Sequence, residues 1–109
     1  MSDKIKLVAG DTMPYVQVTL KNGSGTPINV SGAVVVVYFR ATGSTTVLST
    51  LTCTKPNGGA DGVVQFNFPT PALTVPAGLY EGEIEIQYPG GDRQTVYDLL
   101  KFQVRDQFA

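Results

Sequence analysis

The stretch Pro76-Ala-Gly-Leu-Tyr-Glu-Gly-Glu-Ile-Glu-Ile-Gln-Tyr88 leaves little choice of local structure. Tyr80, Gly82, Ile84, Ile86 and Tyr88 take even positions, while Glu81, Glu83, Glu85 and Gln87 take odd ones. That is the period of a strand with one face on a core and the other in water. A helix would scatter the same glutamates around its circumference. A strand of this kind needs pairing partners along its edges and an apolar layer over its dry face, so the rest of the chain has to supply both.

Gly, Pro and Asn break the remainder into short segments spaced as in an all-β sandwich or barrel, and no segment carries a helical period. Residues 4–9 alternate weakly and stop at Gly10-Asp11-Thr12. From Tyr15 to Lys21, Val16, Val18 and Leu20 share one face and Gln17, Thr19 and Lys21 the other. Residues 45–54 place Val47, Leu51 and Cys53 on one side among hydroxyls. Val64, Phe66 and Phe68 alternate with Gln65 and Asn67, after which Pro69, Pro71 and Pro76 force an extended crossing from one sheet to the other.

After a turn at Pro89-Gly-Gly-Asp-Arg93, residues Gln94 to Arg105 return as the closing strand. Pairing Gln87 with Thr95 sets Glu81 against Lys101 and Gly82 against Leu100, with charges outside and apolar groups inside. The same register puts Asp98 opposite the inward Ile84, and an unpaired buried carboxylate is costly. A bulge or twist around Tyr97, Asp98 and Leu99 is therefore predicted, turning Asp98 to solvent or to a partner. Leu100, Phe102 and Val104 are expected in the core.

Ala33 to Arg40 differs in kind, because Val34-Val35-Val36-Val37-Tyr38-Phe39 offers apolar side chains to both faces. The second face can be covered by flanking loops and a Ser/Thr-rich neighbour, or by another subunit. In the second case Val35, Val37 and Phe39, with Tyr97 and Leu99, form the candidate partner interface and the chain is a homo-oligomer. The first and last strands are the expected sheet edges, open to strand addition by a neighbour.

Composition narrows the chemistry. At 109 residues the chain is a single domain, of a size that buries roughly two thirds of its unfolded surface. With no His, the usual general base, the commonest metal ligand and every Ser-His or Cys-His arrangement are missing, so no catalytic residue is assigned. Glu81, Glu83 and Glu85 point the same way along one strand instead of flanking a bond from two sides, and read as a solvated face. Asp11, Asp61 and Asp92 each stand beside a glycine and read as turn residues; no metal and no cofactor is expected. A single Cys, Cys53, reads as a small core residue. Eight basic residues against nine acidic ones leave no electrostatic footprint for nucleic acid or anionic lipid. The opening residues Met1-Ser-Asp-Lys-Ile-Lys lack the apolar core of a secretion signal, so synthesis in a cytoplasm is expected.

Two resemblances sharpen this reading. Gly78-Leu79-Tyr80 resembles the tyrosine corner of immunoglobulin-like sandwiches; where antibody domains carry a Cys two residues later, this chain has Gly82. The second lies in the order of motifs. Ala9-Gly10-Asp11-Thr12 leads into a strand, and Asn22-Gly23 runs through Thr26-Pro27-Ile28-Asn29-Val30-Ser31-Gly32-Ala33 into the Val-rich strand. Asp61-Gly62-Val63-Val64, Ala77-Gly78-Leu79-Tyr80-Glu81-Gly82-Glu83 and Lys101-Phe102-Gln103-Val104 follow. This order resembles the immunoglobulin-like N-terminal domain of phage baseplate upper proteins. About seven strands at this spacing support an immunoglobulin-like antiparallel β-sandwich, with a jelly-roll-like or other β-sandwich as the alternative, and the resemblance implies the first. It also implies a non-enzymatic virion module that docks on neighbouring tail or baseplate proteins after synthesis in the host cytoplasm. The alternatives are a capsid decoration protein or a module binding host-surface glycan. The glycan reading needs an aromatic platform drawn from Tyr15, Tyr38, Tyr88 and Tyr97.

Overall fold

The computed structural model describes residues 4–13, 15–96 and 99–108. Within them the chain is all-β. Its strands are β1 (Ile5–Val8), β2 (Val16–Thr19), β3 (Val34–Ala41), β4 (Ser49–Thr52), β5 (Val63–Phe66), β6 (Gly78–Gln87), β7 (Arg93–Thr95) and β8 (Leu100–Arg105). A six-stranded sheet runs β1-β8-β6-β3-β4 with β7 also on β6, and β2 and β5 form a two-stranded second sheet. All neighbours are antiparallel except β1, which runs parallel to β8. The connection from β5 to β6 crosses between sheets, as the prolines predict.

β6 organises the large sheet as its sequence predicts. Tyr80, Gly82, Ile84 and Ile86 are buried, and β3 pairs along its length from Val34↔Gln87 to Ala41↔Tyr80. The Tyr80 hydroxyl donates to the Pro76 carbonyl at 2.6 Å, tying the start of β6 to the connection before it. Between the sheets lies an aromatic cluster. Phe39 stacks on Tyr80 at 5.1 Å and meets Phe68 and Phe102 edge-on at 5.3 and 5.6 Å. Phe66 and Phe68 bring the second sheet into the same cluster. Edge-to-face contacts set the negative ring face against a positive ring edge, and burying each ring stabilises the fold by about 1.5–3 kcal/mol.

Gly82 is where this packing is tightest. A Cβ there would stand 2.9 Å from Val37 Cγ1 and 3.0 Å from Phe102 Cε2. The missing side chain is the space those two residues fill. Gly62 serves the second sheet: at φ +75° its carbonyl accepts from the Leu20 amide, and a Cβ would sit 2.5 Å from the Leu20 oxygen.

The sheets meet at a corner in the backbone. The Cys53 amide donates to the Val35 carbonyl in the large sheet, whereas the next residue, Thr54, exchanges two hydrogen bonds with Gln65 in the second. Cys53 is buried at this corner.

Three expectations are corrected. Glu81↔Lys101 and Gly82↔Leu100 pair as predicted, but Thr95 faces Glu85, and Gln87 faces Arg93. The closing strand is thus two strands, and the registers on either side of residues 96–99 differ by two residues. The predicted bulge spans Tyr97, Asp98 and Leu99, of which Tyr97 and Asp98 lie outside the described residues. Second, β8 lies between β1 and β6, so the larger part of the closing strand is no edge, while β7 pairs only with β6; among the described residues the open strands of the large sheet are β1, β4 and the short β7. Third, Val47 is 47% exposed while Leu51 and Cys53 are buried. Leu48 and Ser49 both stand against Phe39, the Leu48 amide donating to its carbonyl and Ser49 being its register partner, which breaks the alternation before β4 begins.

Candidate functional site

The side chains of β3 divide between two surfaces. Val35, Val37 and Phe39 sit opposite Ile86, Ile84 and Gly82, on the inward face of β6, and have no exposed surface. They are core residues, so the predicted partner interface built on Val35, Val37 and Phe39 is corrected: the second sheet already covers them. Leu99 is half-buried, and Tyr97 lies outside the described residues.

The other face of β3 carries Val34, Val36, Tyr38 and Arg40. Val36 is buried between Thr52 and Glu85, its cross-strand neighbours, while Val34 at the strand's start stays half exposed. The Ser/Thr-rich β4 is therefore one of the neighbours that cover this face, within the same domain.

Around Tyr38 the outer face is locked by side chains. The Tyr38 hydroxyl donates to Glu85 Oε1 at 2.9 Å, and the Gln87 amide donates to the same oxygen at 2.8 Å. The Gln87 amide first, and then the Tyr38 hydroxyl, hold the Glu85 carboxyl below its ordinary range. Reciprocally, the bond to Glu85 pushes the Tyr38 hydroxyl up. Each bond favours the charge state that makes it. One turn of the pleat away, the Arg40 Nε donates to Glu81 Oε1 at 2.8 Å; Glu81 is buried and has Lys101 as its partner on β8. Among the described residues Glu83 is the exposed one of these glutamates, with no side-chain hydrogen bond to another of them. Tyr38, Arg40, Val47, Glu83 and Glu85 line an open cleft of about 270 Å³.

Chemically, this face accepts hydrogen bonds and presents charge. Glu85 is held as a carboxylate with one oxygen already taken by two donors, and Glu81 is tied to the Arg40 guanidinium. Asp61 does the turn work expected of it: its carboxylate accepts from the Val63 amide at 3.0 Å and from the Asn57 side chain at 2.9 Å. Among the described residues no group of three His, Cys, Asp or Glu side chains could hold a metal ion. Tyr97 lies outside the described residues, and among the described ones the candidate tyrosines are apart: Tyr15 is exposed before β2, Tyr38 lies on the outer face of the large sheet, and Tyr88 bonds to Gln94 beyond the end of β6.

The sequence reading missed the cluster of Tyr38, Arg40, Glu81 and Glu85. Its signal was available as two alternating strands, but joining them needs the β3–β6 register, which composition does not give. Against known protein families and curated proteins, the chain matches no family model and no curated relative.

Proposed function

We propose that this chain is a non-enzymatic structural module of a phage virion, a tail or baseplate component that docks on neighbouring virion proteins. The observation that carries the reading is the combination of a closed aromatic core with an outer sheet face whose side chains are fixed by hydrogen bonds among themselves. A docking surface of fixed geometry loses little side-chain freedom on binding, which suits an assembly part.

The strand arrangement supports the finer reading of an immunoglobulin-like sandwich. Such domains place C, F and G together, C′ beyond C, and B with E in the opposite sheet. Here β3, β6 and β8 stand together with β4 beyond β3, and β2 pairs with β5. The hydroxyl bond from Tyr80 to Pro76 occupies the place of the tyrosine corner. The order of turn and strand motifs along the chain supports the phage assignment. Capsid decoration is the same reading with a different neighbour. A glycan-binding reading draws on Tyr38 beside Arg40 and Glu83 in the outer cleft, where Tyr38 is the one aromatic among the described residues that line it.

The test is cross-linking mass spectrometry on purified particles of the phage that encodes the chain. The reading expects the chain in the particle, with cross-links from Lys101 and neighbouring outer-face positions to another virion protein. Particles that lack the chain altogether would overturn it.

A further inference from the structure

Every open sheet needs some defence against adding strands at its edges, usually a Lys, a Pro, a bulge or a short run. The short β7, Arg93–Thr95, carries Arg93, and the other two open strands, β1 and β4, differ in this respect. β1 carries Lys6 within it and Lys4 just before it, both exposed. Turned antiparallel on its own copy, that edge sets lysine against lysine. β4 and its flanks, Thr45 to Thr54, contain no charge, no Pro and no Gly; the short length of β4 and the break at Leu48 and Ser49 limit the open run to its last residues.

The hydrogen bonds of β4 say which groups are free. Cys53 gives its amide to Val35, and Leu51 pairs with Val37. In an antiparallel ladder alternate residues bond to the same neighbour, so Thr50 and Thr52 turn their amides and carbonyls away from β3, while Thr54, next in that row, is already paired with Gln65 and closes the open edge at Thr52. Both side chains are exposed on the outer face, while Leu51 between them is buried.

We propose that the β4 edge is the pairing surface for a second copy of this chain, joined antiparallel about a two-fold axis at Leu51. The register is fixed by the free groups. Thr50 of one copy faces Thr52 of the other, each pair exchanging both backbone hydrogen bonds, and Leu51 faces Leu51 across the axis. A two-fold pairing must be self-complementary, and a run without charge is free of like-charge contacts at any register. The paired threonines add side-chain contacts on the outer face, a favourable cross-strand combination. Val47 and Leu48, 47% and 48% exposed beside the edge, are the apolar surface the pairing partly covers. A second copy fits better than a foreign strand because the match is set by this chain's own alternation. This pairing deepens the assembly reading and rests on it for its purpose, but its test does not require a phage particle.

Light scattering over a concentration series is expected to show a dimer that dissociates on dilution. The double variant Thr50→Lys with Thr52→Lys, at exposed positions, should halve the mass and keep the thermal melt that the parent shows at dilutions where it is monomeric. Mixing it with the Thr50→Glu, Thr52→Glu variant should restore the dimer, since the register sets each Lys against a Glu. Equal amounts of Thr50→Cys and Thr52→Cys copies should form a mixed disulfide faster than two copies of Lys6→Cys. Paired residues in a hydrogen-bonded site lie about 5.5 Å apart at Cα, within disulfide reach. A parent monomeric at every concentration, a dimer that survives both lysines, or equal cross-linking at Lys6 would each overturn the pairing. None of these results bears on whether the chain is found in virions, which the particle experiment reads separately.

Discussion

The Tyr80 hydroxyl reaches back to the Pro76 carbonyl at 2.6 Å while the ring beneath it stacks on Phe39 at 5.1 Å. One residue thus ties the inter-sheet connection to the centre of the core. The two roles separate by substitution. Tyr80→Phe keeps the ring and loses only the hydrogen bond, so it should cost about 1 kcal/mol in urea unfolding with an unchanged m value. Tyr80→Ala also opens a cavity beside Phe39 and should cost about 3–5 kcal/mol. Equal losses for the two variants would mean that the hydroxyl, and not the ring, holds the corner.

Gly82→Ala tests the packing across β6. The new methyl meets Val37 on β3 and Phe102 on β8, and neither can withdraw without disturbing the aromatic cluster. Overpacking of this kind costs about 1–3 kcal/mol. The paired variant Gly82→Ala with Val37→Ala should recover less than a simple cancellation, since Phe102 still crowds the site. A Gly82→Ala protein as stable as the parent would show that the gap at Gly82 is slack.

Much of this core was legible in the chain. The alternation of β6 fixed its inward face, and Val16, Val18, Leu20, Val64, Phe66 and Phe68 all point where their period places them. The run through Val34 to Phe39 was not decidable in the same way. A strand with apolar residues on both faces has no internal signal for which one meets the core, and only the register with β6 selects Val35, Val37 and Phe39. The outer cluster was hidden for a related reason: Tyr38 and Glu85 are far apart in sequence, and their bond is diagonal to the register pair Tyr38↔Glu83. Local period reads faces well; it does not read which strands lie side by side.

The Arg40–Glu81 pair is asymmetric in burial, with the arginine side chain 33% exposed and the glutamate 10%. Removing the arginine leaves a nearly buried carboxylate with only Lys101 alongside, whereas Glu81→Gln leaves a neutral amide. Arg40→Ala should therefore destabilise more than Glu81→Gln, by about 1 kcal/mol after allowing for solvent screening of the exposed guanidinium. A double-mutant cycle between the two positions measures the coupling directly. The opposite order would place the importance of the pair in the arginine's stem packing and not in its charge.

Tyr38 and Glu85 give the outer face a pH signature at both ends. The folded Glu85 carboxyl is held low, by Gln87 and then Tyr38, so its contribution is present above the ordinary glutamate range and is lost as pH falls through the depressed value. The folded Tyr38 hydroxyl is raised, mainly by its bond to Glu85, so its contribution is complete below the ordinary tyrosine range and is lost as pH rises through the raised value. Tyr38→Phe should remove the Tyr38 share of the alkaline loss, leaving that of the buried Tyr80 and Cys53, and move the Glu85 titration partway back toward ordinary values. Gln87→Leu should move it further, because the amide bond is the larger cause. Carboxyl NMR titrations of both variants check the order, and a Glu85 titration unmoved by either would dissolve the network.

Cys53 sits at the corner where the chain leaves Val35 and joins Gln65, and burial pushes its thiol up to about 12. Only the thiolate reacts with disulfide reagents, so the native thiol should be inert at neutral pH and react only when the corner opens. Its labelling rate should then follow denaturant concentration as global unfolding does, because one residue on each side of the corner belongs to a different sheet. Cys53→Ala should cost little, as it removes one sulfur atom. Cys53→Ser places a hydroxyl in the same buried site and should cost about 1–3 kcal/mol unless it finds a carbonyl there. Rapid labelling in the absence of denaturant, with unfolding still cooperative by fluorescence, would instead mark the corner as a hinge that opens while the rest of the sandwich stays closed.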